Sequence, residues 1–388
     1  MPIYLAALAL SLTILIVYII LYWRKYAPIV PLGAANNAMQ WPGLSVVIIT
    51  HDSDSILLHT IETVANQQYP NFEIVVVNNA STDNTNDVIK RAAKQYPSLL
   101  RSTHLPQNRN GILHMTMATT LGVRAARKDW VVLLRPNSTP KSHLWLLNIA
   151  QAINQGNEIC LGYNQYYGID NSAWERRAMR WHRKLQIRNY RAICRGKRRP
   201  VEAESSKFVF RKQDFLDNGG YGRWLSLQNY HEHLYAATFA SAGKCAMLMQ
   251  PDAQVETMLP PIRELWQTEQ QQIRKAYRRL PRIAILRRRY YDLLRLLLML
   301  ALASLLTGIY FALFPLADDS SANFINEYLH LGQLPPIPVA APCAFVVFCA
   351  LLLIHFICKV HCTRRDNLQL NTPLVSNPTS LLDSDDYV

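Results

Sequence analysis

The sequence predicts an α/β domain, a mixed but mostly parallel sheet flanked by helices, carried by three transmembrane helices. Three observations predict it. Short β-branched runs alternate with stretches of helical apolar spacing between residues 44 and 134. Uncharged apolar runs lie near both ends of the 388-residue chain. Basic clusters fall on one side of each such run, as the positive-inside rule requires.

Ile3 to Trp23 contains no charged residue and is followed by Arg24 and Lys25. A cleaved leader would carry positive charge before its apolar core and small residues after it. Residues 1–23 therefore read as an uncleaved anchor. The next runs are 296–314 and 339–358, and the loop 315–338 between them holds Asp318, Asp319 and Glu327 but no Lys or Arg. Arg287, Arg288 and Arg289 precede this pair of spans, and Lys359, Arg364 and Arg365 follow it. All three spans then agree on one orientation: N-terminus outside, residues 24–295 cytosolic, loop outside, tail inside. The tail 359–388 is polar and aperiodic and reads as disordered.

Within the soluble part, Leu44 to Thr50 (LSVVIIT) has the composition of a buried parallel strand. The loop HDSDS follows, then helical spacing from Ile56 to Gln67 and a break at Tyr69-Pro70-Asn71. Phe72 to Val77 is a second strand, ending in the loop Asn78–Asp83, where Ser81 or Thr82 caps the helix that runs to about Lys94. Leu100 to Leu105 is a weaker strand, Gly111 to Arg127 a helix, and Trp130 to Leu134 a fourth strand. Sheets of this kind bind ligands beyond the carboxyl ends of their strands. That edge holds Thr50–Asp54, Asn78–Asp83 and Arg135–Thr139.

The net charge of +14 favours phosphate-bearing ligands, anionic lipid or nucleic acid. Eleven basic residues lie between Arg176 and Arg199, interleaved with Trp181 and Tyr190. In a membrane-tethered chain an amphipathic basic helix on the lipid surface explains them more simply than nucleic acid does. Membrane lipids are thus an expected partner and nucleic acid is not. The basic stretch Arg263 to Arg295, including the interfacial segment 281–295, reads the same way, and Trp266 reads as a membrane anchor. The seven cysteines form neither a CxxC pair nor a metal-ligand spacing, which fits a reducing compartment.

At the binding edge the chain resembles the family-2 glycosyltransferases. The run LSVVIITHDSDSILLHTIETVANQQYPNFEIVVVNNASTDNT is similar to that family's opening block. NRNGILHMTMATTLGVRAARKDWVVLLRPNSTP resembles the approach to the DxD motif, GYGRWLSLQNYHEHLYAATFASAGK the segment with the catalytic carboxylate, and LWQTEQQQIRKAYR the QxxRW segment. The resemblance spans about residues 44–280. It implies a GT-A fold, inverting sugar transfer from a nucleoside diphosphate sugar to a glycan or lipid-linked acceptor, and a bacterial inner-membrane location. It also implies a divalent cation, Mn or Mg, that neutralises the leaving diphosphate, and a carboxylate base for the acceptor hydroxyl.

On this resemblance Thr50, His51, Asp52, Asn78, Asn79, Ser81, Arg135, Asn137, Gln271 and Arg274 are the candidate nucleotide-sugar contacts, and Glu232 and His231 the candidate catalytic residues. The chemical positions depart from the pattern. Asn78 replaces an expected Asp, Arg135-Pro136-Asn137 replaces DxD, His231 stands at the base position with Glu232 beside it, and Lys275 replaces the aromatic of QxxRW. No metal-ligating set remains, because arginine does not ligate hard cations. Two readings stay open: an active, metal-independent enzyme in which Arg135 pairs with the diphosphate, and a non-catalytic relative that serves as scaffold or partner in glycan assembly. Plainer roles stand beside these: His51 and Asp52 as loop caps, Asp83 as a helix N-terminal charge. The pair His231 and His233 needs an extended segment and a third ligand to hold a metal.

Overall fold

The computed structural model describes residues 41–280 apart from 107–114, 197–198 and short gaps between 201 and 229, together with four positions near the N-terminus. The expected later spans, basic segment 281–295, outer loop and tail lie outside the described residues, as does the anchor except for those four helical positions. Among the described residues no helix is long and apolar enough to cross a membrane.

The chain opens with β1 (Leu44–Thr50), α1 (Asp54–Ala65), β2 (Phe72–Asn79), α2 (Thr85–Gln95), β3 (Leu100–Leu105), α3 (Met115–Ala125) and β4 (Trp130–Leu134). It continues through β5 (Ser138–Pro140), α4 (Trp145–Asn154), β6 (Ile159–Tyr167), α5 (Ala173–Gly196), β7 (Phe208–Arg211) and α6 (Lys212–Asp217). Last come α7 (His231–Phe239), β8 (Cys245–Leu248), β9 (Gln254–Met258) and α8 (Arg263–Arg278). The four strands expected from the sequence are present, β2 running two residues further than its apolar run.

The strands order as β3-β2-β1-β4-β7-β6-β9-β5, with β8 pairing in parallel with the first half of β6. β1 pairs in parallel with both β2 and β4, and β2 with β3. β7 runs antiparallel to β4 and β6, and β5 antiparallel to β9. The sheet is therefore mixed and mostly parallel, as expected.

Strand periodicity explains why these runs are apolar throughout. Val46, Ile48, Ile74 and Val76 face α1, α2 and α4 in one core, where Leu57, Ile61, Ile89 and Trp145 meet them. Val47, Ile49, Val75 and Val77 face the other way, onto Ala118 and Val123 of α3, in a second core that also holds Phe208, Phe210 and Tyr235. A strand covered on both faces has no polar side to show. α3 sits close enough that a Cβ on Gly122 would lie 2.5 Å from Val47 Cγ1 and 3.0 Å from Val77 Cγ2.

At the amino end of the sheet, buried Glu73 is neutralised locally. It accepts the Ser45 hydroxyl at 2.7 Å and the Arg127 backbone N–H, and Arg101 stands 3.6 Å away. This cluster ties β1, β2, β3 and the start of β4 together, at the end opposite the strands' carboxyl edge.

Chain order reverses direction at β1: β2 and β3 lie on one side and β4 on the other. Such a reversal opens a crevice beyond the carboxyl ends of the two strands. Thr50 is in register with Asn78, and Ile48 with Leu134, so the loops after β1, β2 and β4 emerge side by side.

Candidate active site

The first two loops lock into each other. Asp52, in the left-handed region at φ 43, accepts the Thr82 N–H at 2.7 Å, and its own N–H donates to Ser81 Oγ at 3.1 Å. Asp83 accepts the N–H of Asp54 at 3.1 Å and of Thr85 at 3.0 Å, serving the first turns of α1 and α2 together. Burial alone would raise its pKa, but these hydrogen bonds outweigh that and hold the carboxyl below its ordinary value. The cap position of α2 is Asn84, without a side-chain capping bond; Ser81 and Thr82, expected as caps, bond Asp52 instead, and Asp83 takes the Thr85 N–H. His51 bridges the same loops, its Nδ1 2.9 Å from the Asn79 carbonyl and its Nε2 3.3 Å from Asp52. Asn78 Oδ1 accepts the Ser81 N–H at 3.0 Å, and the Asn79 amide donates to the Met115 sulfur at 3.5 Å. The Thr50 hydroxyl, buried at the strand end, has no hydrogen-bond partner among the described residues.

The third loop is half-buried and stapled to its neighbours. Thr60 donates to the Pro136 carbonyl at 2.6 Å. The Asn137 amide donates to the Met258 carbonyl at 2.9 Å, and Met258 N–H returns a bond to the Asn137 carbonyl at 3.1 Å. Asn137 is therefore spent on joining this loop to β9. Arg135 instead reaches across to α8, its Nη1 3.3 Å from Glu269 Oε1, with the guanidinium 5.5 Å over the Tyr230 ring. The Tyr230 hydroxyl donates to the same Glu269 oxygen. Tyr230 sits at φ 68, a left-handed conformation that costs a bulky residue about 1–3 kcal/mol. Its ring is held between the guanidinium and the stacked His233.

Sequence reasoning missed Glu269 and Tyr230 as partners of Arg135. A signal was present for one of them: Glu269 shares a helix face with Trp266, Ile273 and Ala276, all buried. An acid on an apolar stripe needs a cationic partner. The same geometry turns Gln271 and Arg274 away. At roughly 100° per residue they lie about 200° and 140° round the helix from Glu269, and both are exposed.

The candidate base residues begin α7. His231 is buried, 3.0 Å from both the Thr116 hydroxyl and the Leu227 carbonyl through Nε2, and stacked on Tyr221. A carbonyl only accepts, so Nε2 carries the proton. Burial lowers this imidazole's pKa. Its surroundings are those of a core residue. Glu232 is also buried, one residue on; burial, with the Glu232 charge adding to it, pushes the Tyr221 hydroxyl well above its ordinary range. His231 and His233 lie in a helix rather than an extended segment. His233 accepts the Ala203 N–H at 2.8 Å and stacks between Tyr230 and Tyr277. Among the described residues no group of three or more His, Cys, Asp or Glu is placed to hold a metal ion. Trp266, expected at a membrane surface, is buried against Ala178 and Leu259.

Residues 45–216 match the family model described as glycosyl transferase family 2. The hyaluronan synthase of Pasteurella multocida is 28% identical over 130 residues, 33% of this chain and 13% of that protein. The glycosyltransferase GlyG of Streptococcus pneumoniae is 23% identical over 129 residues, 33% of this chain and 40% of that one. The chain thus spans less than half the length of these relatives. Among solved structures, the mannosyltransferase PcManGT from Pyrobaculum calidifontis, in complex with GDP-Man and Mn2+, has a TM-score of 0.55 at 16% identity. That match covers 91% of this chain and 96% of the other, and it is a likeness of fold.

Proposed function

The chain carries a family-2 glycosyltransferase domain, and from that premise we propose that it transfers a sugar from a nucleoside diphosphate donor to a glycan or lipid-linked acceptor at the cytosolic face of a bacterial inner membrane. The observation that carries this reading is the convergence of the β1, β2 and β4 loops at the reversal point of the sheet, with Arg135 opening the third of them. The solved mannosyltransferase of the same fold holds a nucleotide sugar, which supports the donor class.

The solved mannosyltransferase of this fold carries Mn2+, so a divalent cation is the expectation, and two residues of the third loop support a different reading. Arg135 brings positive charge to the position where the family carries a metal ligand, and the Asn137 side chain is committed to Met258. The proposed chemistry is therefore metal-independent. The planar guanidinium of Arg135 takes the diphosphate in two parallel hydrogen bonds, offsetting the charge that develops as the sugar leaves. Glu232 receives the acceptor proton. In this reading His231 is a packing residue, buried and stacked on Tyr221.

Turnover of nucleotide sugars by the full chain in membranes, with EDTA present, tests this. Activity should persist in EDTA and fall about 100-fold or more in Glu232→Gln, with a comparable loss in Arg135→Ala. Activity that vanishes in EDTA and returns with manganese would sink the metal-independent mechanism. A second reading, a non-catalytic partner in glycan assembly, is favoured by one observation: Arg135 is already paired with Glu269 and Tyr230. It predicts no turnover with any donor and no effect of either substitution on assembly.

A further inference from the structure

Four of the five exposed large hydrophobic residues in the described domain gather at one end of it. Tyr167, Ile169, Ile262 and Leu265 are 44%, 70%, 52% and 49% exposed, and only Met117 lies elsewhere. The fold places them together. β6 and β9 end side by side with Tyr167 in register with Met258, and Leu259 N–H donates to the Tyr167 carbonyl at 2.9 Å. The chain then leaves both strands in short turns that lead into α5 and α8. The first turns of these helices are held together by Trp174 and Trp266, whose ring centroids are 6.2 Å apart, over a small core of Ala178 and Leu259.

The helix that rises from this patch presents cations to solvent. Arg176, Arg177, Arg180, Arg183 and Lys184 are all exposed, and they fall within an arc of roughly 120° on α5. The first acid of that helix is withdrawn from the surface. Glu175 is buried, accepting the N–H of Ile169 at 2.9 Å and of Ser172 at 2.6 Å. Gly168 leaves room for it, since a Cβ there would lie 2.4 Å from the carboxyl group. Asp170 and Glu264 are the exposed acids nearby, and Arg263 adds a further exposed cation.

We propose that this end of the domain is a docking surface for an anionic phospholipid bilayer: Tyr167, Ile169, Ile262 and Leu265 enter the interfacial layer, and the α5 cations meet lipid phosphates. Apolar tips rimmed by basic side chains are what such a surface recognises. A clustered cationic face with its own carboxylate turned inward complements a negative leaflet, at about a fivefold factor in association for each arginine. The surface is continuous with the candidate active site through the Asn137–Met258 bonds. A bilayer on it would set the crevice at the lipid–water boundary, where an acceptor on a lipid carrier presents its hydroxyl. The inference rests on the proposed membrane-bound transferase and names the face that meets the membrane.

Hydrogen–deuterium exchange of the full chain in nanodiscs tests it, comparing phosphatidylcholine alone with seven parts phosphatidylcholine to three parts phosphatidylglycerol. Residues 167–172 and 259–265 should exchange several-fold more slowly in the anionic discs, while the exposed side of α2 is unchanged. Arg176→Gln, Arg177→Gln and Arg180→Gln together, or Ile169→Asn with Ile262→Asn, should return both segments to their rate in neutral discs. All these positions are exposed, so the fold should tolerate them. Equal exchange in both discs, protection that survives the triple substitution, or protection given by an RNA oligonucleotide and not by the anionic lipid would overturn the assignment. Nucleoside diphosphate binding measured on the same discs separates the two ideas: docking absent with binding intact removes the surface alone.

Discussion

Glu269→Gln removes the charge that holds Arg135 while leaving an oxygen for the Tyr230 hydroxyl. At 3.3 Å the gross Coulomb attraction is about 5 kcal/mol at an effective dielectric near 20 and about 1.3 kcal/mol in bulk water. Desolvation and side-chain ordering reduce exposed pairs to about 0.2–1 kcal/mol. The two side chains are 24% and 22% exposed, so the upper end, about 1 kcal/mol, applies. A diphosphate that binds Arg135 must compete with Glu269 for it. Removing the competitor should tighten nucleoside diphosphate binding about fivefold, measured by calorimetric titration of the full chain with UDP and GDP in EDTA. Arg135→Gln should weaken the same binding by about tenfold or more, the size of a lost charged hydrogen bond. In that background Glu269→Gln should have no further effect. If Glu269→Gln leaves the affinity unchanged and Arg135→Gln does too, Arg135 is a structural staple and the diphosphate charge is carried elsewhere.

The other predictions concern stability. Gly122→Ala gains about 1 kcal/mol of helix propensity but puts a Cβ 2.5 Å from a buried valine branch. Overpacking of that kind costs about 1–3 kcal/mol, so a net loss is expected in thermal unfolding, and an unchanged melting temperature would show that α3 shifts freely. Glu73→Ala strands the Ser45 hydroxyl and the Arg127 N–H and should cost about 1–3 kcal/mol by the same measurement. For His231, burial holds the folded pKa below its ordinary 6.5. The unfolded chain therefore binds a proton that the folded chain does not, so this contribution is complete above about pH 6.5 and is lost as pH falls below it. Melting curves from about pH 8 to pH 5.5 should be steeper in pH for the wild type than for His231→Gln; parallel curves would count against a buried neutral imidazole.

Much of the parallel half of the sheet was legible because its strands are buried on both faces. LSVVIIT and FEIVVV carry no polar alternation, and that continuity together with the intervening helical spacing indicates a covered parallel sheet. The second half was not legible. β5, β7 and β8 are three or four residues long, too short to show a period. β6 changes neighbours along its length, meeting β7 and β8 early and β9 late. The candidate site divided in the same way. The loops after β1, β2 and β4 could be placed on one edge from strand order alone. The role of Gln271 and Arg274 could not, because a matching segment does not reveal which helix face turns inward.

The sequence by itself determined the layered α/β build and the loops that share one edge of the sheet, which follow from local composition and chain order. The resemblance to family-2 glycosyltransferases added the expectation of acids where Arg135, Asn137 and His231 stand as replacements. The tertiary structure alone decided how those replacements are used. Asn137 closes onto β9, His231 sinks into the second core beside Tyr221, and Arg135 meets Glu269, a residue 134 positions away in sequence. Such partners are set by how helices pack across the sheet, and the packing depends on contacts that no local pattern records. The same holds for the exposed apolar end: four hydrophobic residues in two distant segments become one patch only because β6 and β9 finish side by side.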